Sequence, residues 1–330
     1  MSTRARALAA VVAVVVLASG CGSRADLLGL RANERPVAGV AALTTAQASA
    51  IAGRALALAH ESDTTRSMQD ARAAFTGPAL RTAAAAYAVD RALDPATNQG
   101  AAALAPVAPA SRIVLTAGTV YPRSFLALSR PPGAATDELA VLTARDARTP
   151  YRVASRVRLL PRAQLPATAA AAPVLSARVG GLVATPAAAV RDYAALLQSG
   201  ADTATTFATS PVTAGVRANA AAQARSVAKV ATFTQRHRAT RDPVVVVRTS
   251  DGGALVVAAI ERLDVLVVRK GAGFLAPPGS YRALAGGLRK ITRSAQVTTV
   301  QVVVLAVPRT GGGPVRLIAF SELPLRIKAR

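Results

Sequence analysis

An α+β fold in two tandem units is what this sequence predicts, each unit with its helices ahead of an antiparallel sheet. Alanine-rich segments with three-and-four apolar spacing come first, and runs rich in Val, Ile and Leu follow them. The same order then begins again after a Pro- and Ala-rich stretch from Pro161 to Gly181. A chain of 330 residues has room for two domains of about 150 residues each. The expected boundaries are a leader over 1–20, a tether over 21–43, a first domain over 44–165 and a second over 182–330.

Taken in order, the first element is "ALAAVVAVVVLASG", Ala7 to Gly20, with Arg4 and Arg6 ahead of it. Positive charge followed by fourteen apolar or small residues has the form of a secretory signal. A membrane-crossing helix needs about 20 apolar residues, and this run falls short even when extended to Ser23. Its last residues, "LASGC" (Leu17 to Cys21), resemble the lipobox of bacterial lipoproteins, in which small residues precede a cysteine that is lipidated and becomes the new N-terminus. The resemblance implies lipidation of Cys21 and cleavage after Gly20, with Ala18, Ser19 and Gly20 as the small residues of the cleavage site. Each buried methylene contributes about 0.8 kcal/mol, so two or three acyl chains make a stable anchor. Cys21 is the only cysteine, which leaves none for a disulfide. From Gly22 to about Leu43 no period is sustained and Gly, Pro and charge are mixed, as in a tether.

In the first unit Thr44 or Thr45 is placed to cap a helix, with Ile51, Ala55, Leu58 and Ala59 on one face. "SMQDARAAF" and "PALRTAAAAYAVDRAL" continue as helices, and Asp94-Pro95 stops the last. Beyond the low-complexity bridge at Pro95 to Ala110 come four strand-like runs, "RIVLTAGTVY", "RSFLALS", "ELAVLTARD" and "YRVASRVRLL". In the last, Val153, Ser155, Val157 and Leu159 alternate imperfectly with Arg152, Arg156 and Arg158.

The second unit opens on the clearest helix of the chain. Thr185 and Pro186 form an N-cap and first-turn pair, Val190, Tyr193, Ala194 and Leu197 share a face, and Gly200 closes it. An alanine-rich helix follows in "PVTAGVRANAAAQARSVA". The strands expected after it are "KVATFTQRHRA", a hairpin about Asp251-Gly252-Gly253, a separate strand "DVLVVRKG", and a final pair flanking "RTGGGP"; a short helix lies at "SYRALAGGLRKI".

Helices that precede and cover one face of a curved antiparallel sheet are the layout of NTF2-like or cystatin-like folds. The stretches "FTGPALRTAAAAYAVDRAL", "YPRSFLALS" and "LTARDARTPYRVASRVRLLP" resemble an uncharacterised family of actinobacterial lipoproteins. That resemblance implies an address in the cell envelope and no catalytic residues.

Chemistry is sparse in the sequence. His60 and His237 are the only histidines, and neither stands in a metal-spacing motif. No G-x-S-x-G elbow or phosphate-binding loop occurs. Glu261 and Asp264 are close enough in sequence to be weighed as an acid and base pair, but cross-strand partners for arginine are the simpler expectation. No catalytic residue, metal or cofactor is therefore expected. The formal net charge is +23, and loss of Arg4 and Arg6 with the leader lowers it by two. Such a field favours anionic partners. No basic run is interleaved with aromatics, and an exported chain has no access to nucleic acid, so none is expected as a partner. The leading expectation is a lipid-anchored, extracytoplasmic, non-enzymatic module on the cell membrane that engages an envelope protein or an anionic surface polymer. The alternative is a small-ligand carrier or sensor using an NTF2-like pocket.

Overall fold

The computed structural model describes residues 39–93, 109–118, 120–131, 133–200, 204–240 and 245–330. Cys21 and the cleavage residues Ala18, Ser19 and Gly20 lie outside them, as do the tether up to 38, the stop at Asp94-Pro95 and most of the low-complexity bridge. The described chain is α+β, with six helices, two antiparallel sheets and a two-stranded parallel ladder among the described residues.

Three helices lead. α1 (Thr45–Thr65) starts at a capping box: the Thr44 hydroxyl accepts from the Gln47 N–H at 3.2 Å, and Gln47 Oε1 accepts from the Thr44 N–H at 2.8 Å. Its innermost residues are the small ones, Ala48, Ala52, Ala55 and Ala59, with Leu56; Ile51 and Leu58 pack at the margin. α2 (Met68–Ala74) and α3 (Gly77–Leu93) follow, and the Ala-rich faces let the three lie close together.

They cover one face of a sheet ordered β1-β3-β4-β5, formed by β1 (Arg112–Val114), β3 (Arg123–Ser129), β4 (Glu138–Ala144) and β5 (Arg152–Arg158). The run expected as one strand after the bridge is split in two, because β2 (Thr116–Ala117) leaves the sheet and pairs in parallel with β6 (Ala172–Pro173). The remaining elements are α4 (Pro186–Ser199), α5 (Pro211–Val227), β7 (Ala231–Ala239), β8 (Val245–Arg248), β9 (Ala254–Val268), α6 (Gly279–Leu284), β10 (Ser294–Val307) and β11 (Arg316–Ala329). They build a second sheet ordered β11-β10-β9-β7, with β8 also paired to β9.

Three cores stack the layers. Phe75, Phe125, Leu142 and Val153 join the first helices to the first sheet. Leu126, Val141 and Val157 of the first sheet meet Leu255, Val302 and Val304 of the second. Val190, Tyr193 and Leu197 of α4 pack on Val256, Val303 and Leu305, the opposite face of the second sheet. Alternation along β9 and β10 sends odd and even residues to different cores, as period-two geometry requires. The stretch from Pro161 to Gly181 is part of this packing, since Leu165 and Ala172 are buried between the sheets and Leu175 N–H donates to the Val246 carbonyl.

α4 follows its sequence pattern closely. Pro186 opens it, Gly200 ends it in the left-handed conformation at φ 66°, and the Thr185 hydroxyl accepts from the Ala188 N–H at 3.2 Å. Thr185→Ala should lower stability by about 1 kcal/mol. Thermal unfolding checks this, and an unchanged midpoint would show that the cap contributes nothing.

Candidate functional site

Strand β5 carries a one-residue irregularity that decides which side chains share a face. Val141 pairs with Ser155 and Leu142 with Val153, so Ala154 is the extra residue of a β-bulge. In a regular strand Arg152 and Ser155, three apart, would point to opposite faces. With the bulge between them, both lie on the face that looks toward the second sheet, and Val153 turns to the helices. The alternation expected from the sequence, with Val153, Ser155 and Val157 on one face, is thereby corrected. Ser155 and Val157 share the inter-sheet side, while Val153 and Arg156 lie on the helix side.

The row so created, Ser124–Thr143–Arg152 beside Val141–Ser155, forms one wall of a cavity of about 770 Å³. Its other wall comes from the second sheet, where Val245 and Val257 are cross-strand partners. Val141, Val245 and Val257 line the cavity together with polar Thr116, Ser124, Thr143 and Ser155, and Tyr121, Arg123, Arg145, Thr149 and Arg152 line it as well, with Thr76 and the first residues of α3, Gly77 and Pro78. Arg123 lies over the Tyr121 ring at 4.2 Å, and Arg145 pairs with Asp146 at 3.4 Å. The Ser124 and Thr143 hydroxyls bond each other at 2.8 Å.

Two polar atoms in this wall are buried without a hydrogen-bond partner, Arg152 Nε and Ser155 Oγ. Ser155 is only 7% exposed. Leaving a buried donor unpaired costs about 1–3 kcal/mol, and these two lie on one face of β5, on either side of the bulge. No carboxylate occurs among the described lining residues. Sequence reasoning did not find these residues; the signal was the imperfect alternation in "RVASRVRLL", which is the trace of the bulge.

On the other side of β5, Arg156 reaches Asp63 of α1 at 2.6 Å and lies over the Phe75 ring at 4.8 Å. Tyr87 of α3 donates to the same Asp63 at 2.7 Å. Burial raises the Tyr87 hydroxyl well above its ordinary value and also raises Glu138 beside this cluster, where Arg156 and Arg158 oppose the shift. These contacts tie helices to sheet and do not open on the cavity.

The titratable residues singled out by the sequence are dispersed. His60 sits on α1 more than a turn before its last residue, where its carbonyl accepts from the Thr64 hydroxyl at 3.0 Å. Glu261 and Asp264, three apart on a regular strand, lie on opposite faces of β9. Glu261 faces its cross-strand partner Arg238 at 3.7 Å, and Asp264 pairs with Arg262 at 3.2 Å, so the two carboxylates do not form an acid and base pair. The strand expected to start at Asp264 is the last third of a single fifteen-residue strand. Its Arg262 and Asp264 belong to a polar network. Gln235 donates to Asp264 at 2.9 Å, Gln301 donates to Glu322 at 3.0 Å, and both amide oxygens face the His237 ring at 2.9 and 3.0 Å. Burial holds the His237 pKa down while the Gln301 bond opposes it, and burial pushes Asp264 up against the pull of Arg262. Among the described residues no group of three metal-binding side chains occurs. No helix there is long and apolar enough to cross a membrane.

A family model described as a domain of unknown function (DUF8094) matches residues 39–323. No curated protein and no solved structure matches the chain.

Proposed function

The chain belongs to the family of the domain of unknown function DUF8094, and on that footing we propose that it is a non-enzymatic binding protein of the cell envelope that holds one small molecule between its sheets. The observation that carries this reading is the cavity of about 770 Å³ with Arg152 Nε and Ser155 Oγ unpartnered in its wall. Its volume lies in the range of small-molecule sites, about 300–1,000 Å³, and an apolar interior with a few placed polar groups is their usual make-up. Glu261, Asp264 and His237 are absent from its described lining, which favours binding over acid–base chemistry. In this reading the protein is an actinobacterial lipoprotein, held on the extracytoplasmic face of the membrane by lipid on Cys21.

The repeated order supports a duplicated unit of the NTF2-like or cystatin-like kind. α1 to α3 precede the first sheet, and α4 and α5 precede the second.

Native mass spectrometry of the protein isolated from its own membranes tests the ligand. One sub-kilodalton adduct is expected on the parent and a weakened one on Val257→Trp, whose larger side chain narrows the cavity; bare protein in both would count against the proposal. Fractionation tests the anchor. Cys21→Ala is expected to leave the membrane fraction for the soluble one, and unchanged processing and retention would refute lipidation.

A further inference from the structure

We infer that the molecule held between the sheets is an amphipathic anion, a single apolar chain or compact apolar body ending in a carboxylate or phosphate. This rests on the reading of the cavity as a ligand site and adds the chemistry of the ligand.

Charge complementarity at the opening points to the anion. Arg123, Arg145 and Arg152 line the same cavity, and no carboxylate is among its described lining residues. Arg145 has a partner in Asp146 beyond the wall, and Arg123 is engaged with Tyr121. Arg152 differs, because its Nε is buried with no acceptor. A guanidinium nitrogen can only donate. The group it lacks is therefore an acceptor, and a carboxylate or phosphate oxygen makes the strongest such bond. Ser155 stands on the same wall and its hydroxyl, also unpartnered, can donate to a second oxygen of one headgroup.

The backbone adds to this field. Thr76, Gly77 and Pro78 line the cavity at the N-terminus of α3, a helix of seventeen residues, so the positive end of its dipole borders the cavity. Gly77 holds φ at 54°, and a Cβ there would lie 3.7 Å from the Ala154 carbonyl, beside the bulge. That spacing is an ordinary contact, and it is the positive φ that favours glycine there.

The interior points to the apolar part. Val141, Ala154, Val245, Val257 and Ala259 line it, and no side-chain amide is among its described lining residues. Val120 and Val174 are 66% and 54% exposed at its border, an apolar margin beside the cationic one. An inorganic anion would leave the apolar wall empty, and a neutral hydrocarbon would leave Arg152 and Ser155 unpaired.

The test uses the full chain in phosphatidylcholine nanodiscs, with uptake by empty nanodiscs subtracted. Binding of decanoate, decyl phosphate and decanol is measured by equilibrium dialysis. One molecule of anion per chain is expected, with decanol at least about tenfold weaker, the loss expected for a single charge-assisted hydrogen bond. The tighter of the two anions tells carboxylate from phosphate as the natural headgroup. Arg152→Met should weaken the anions by about tenfold and leave decanol unchanged, Ser155→Ala should weaken them less, and Arg236→Met on the exposed side of β7 should change nothing. Equal binding of decanol and the anions, with no effect of Arg152→Met, would overturn the anionic class and leave the cavity reading standing. Failure of all three probes, with Val257→Trp indistinguishable from the parent, would overturn both.

Discussion

Arg262→Ala is expected to lower the free energy of unfolding by about 3–5 kcal/mol, the cost of breaking a buried ion pair by removing one partner. The Arg262 side chain is 12% exposed and joins two carboxylates, Asp264 at 3.2 Å and Glu322 at 2.8 Å. Asp264 is 3% exposed, so it cannot turn to water when the guanidinium is lost. Through Gln235 and Gln301 the loss reaches His237, whose backbone N–H is held by Gln198 of α4. The penalty depends on pH with a definite sign. Burial already raises the Asp264 pKa, and removing Arg262 removes the main opposing influence. A carboxyl whose folded pKa lies above its unfolded value stabilises the fold at pH below the unfolded value and loses that contribution as pH rises through the folded one. Denaturant unfolding should therefore show a larger loss at pH 7 than at pH 4.5. Replacing both partners, Arg262→Met with Asp264→Leu, should recover more than half of it, because a buried pair exchanged for apolar residues is close to neutral. A loss below about 1 kcal/mol in the single variant would mean that the network is hydrated.

Val153→Asp is the second severe change. Val153 is fully buried where the first helices meet the first sheet, among Phe75, Phe125 and Leu142, and a carboxylate there has no partner, so the expected loss exceeds about 4 kcal/mol. Deleting Ala154 is the contrasting case. Without the extra residue of the bulge, Arg152, Val153, Ser155 and Arg156 alternate strictly, and each keeps its face and its cross-strand partner, so the expected loss is no more than about 2 kcal/mol. Circular dichroism and thermal unfolding of the two variants check this; a deletion as damaging as Val153→Asp would mean that the bulge itself holds the strand in place.

Most elements were legible in the sequence because their signals are local. Thr185, Pro186 and Gly200 bound α4 through cap and turn chemistry, and the apolar spacing names its buried residues. Asp251-Gly252-Gly253 joins β8 to β9 as a hairpin signal should. Three features were hidden because they depend on distant partners. The polar run Glu261, Arg262 and Asp264 reads as a break between strands, yet Arg238 and Gln235 of β7 meet Glu261 and Asp264, Glu322 of β11 meets Arg262, and β9 continues through the run. The stretch from Pro161 to Gly181 has the composition of a linker, while Leu165 and Ala172 fill the inter-sheet core. The candidate site depends on both sheets and on a bulge, and a bulge leaves in sequence only a lapse in alternation.

The central claim is that a molecule completes the space between the sheets. Its most direct test is a crystal structure of the protein as isolated from its own membrane, read at that cavity. The account predicts density for one non-protein molecule whose polar end lies within hydrogen-bond distance of Arg152 Nε and Ser155 Oγ and whose apolar part rests on Val141 and Val257. A cavity closed by the sheets coming together, with Arg152 and Ser155 bonded to the protein itself, would contradict it.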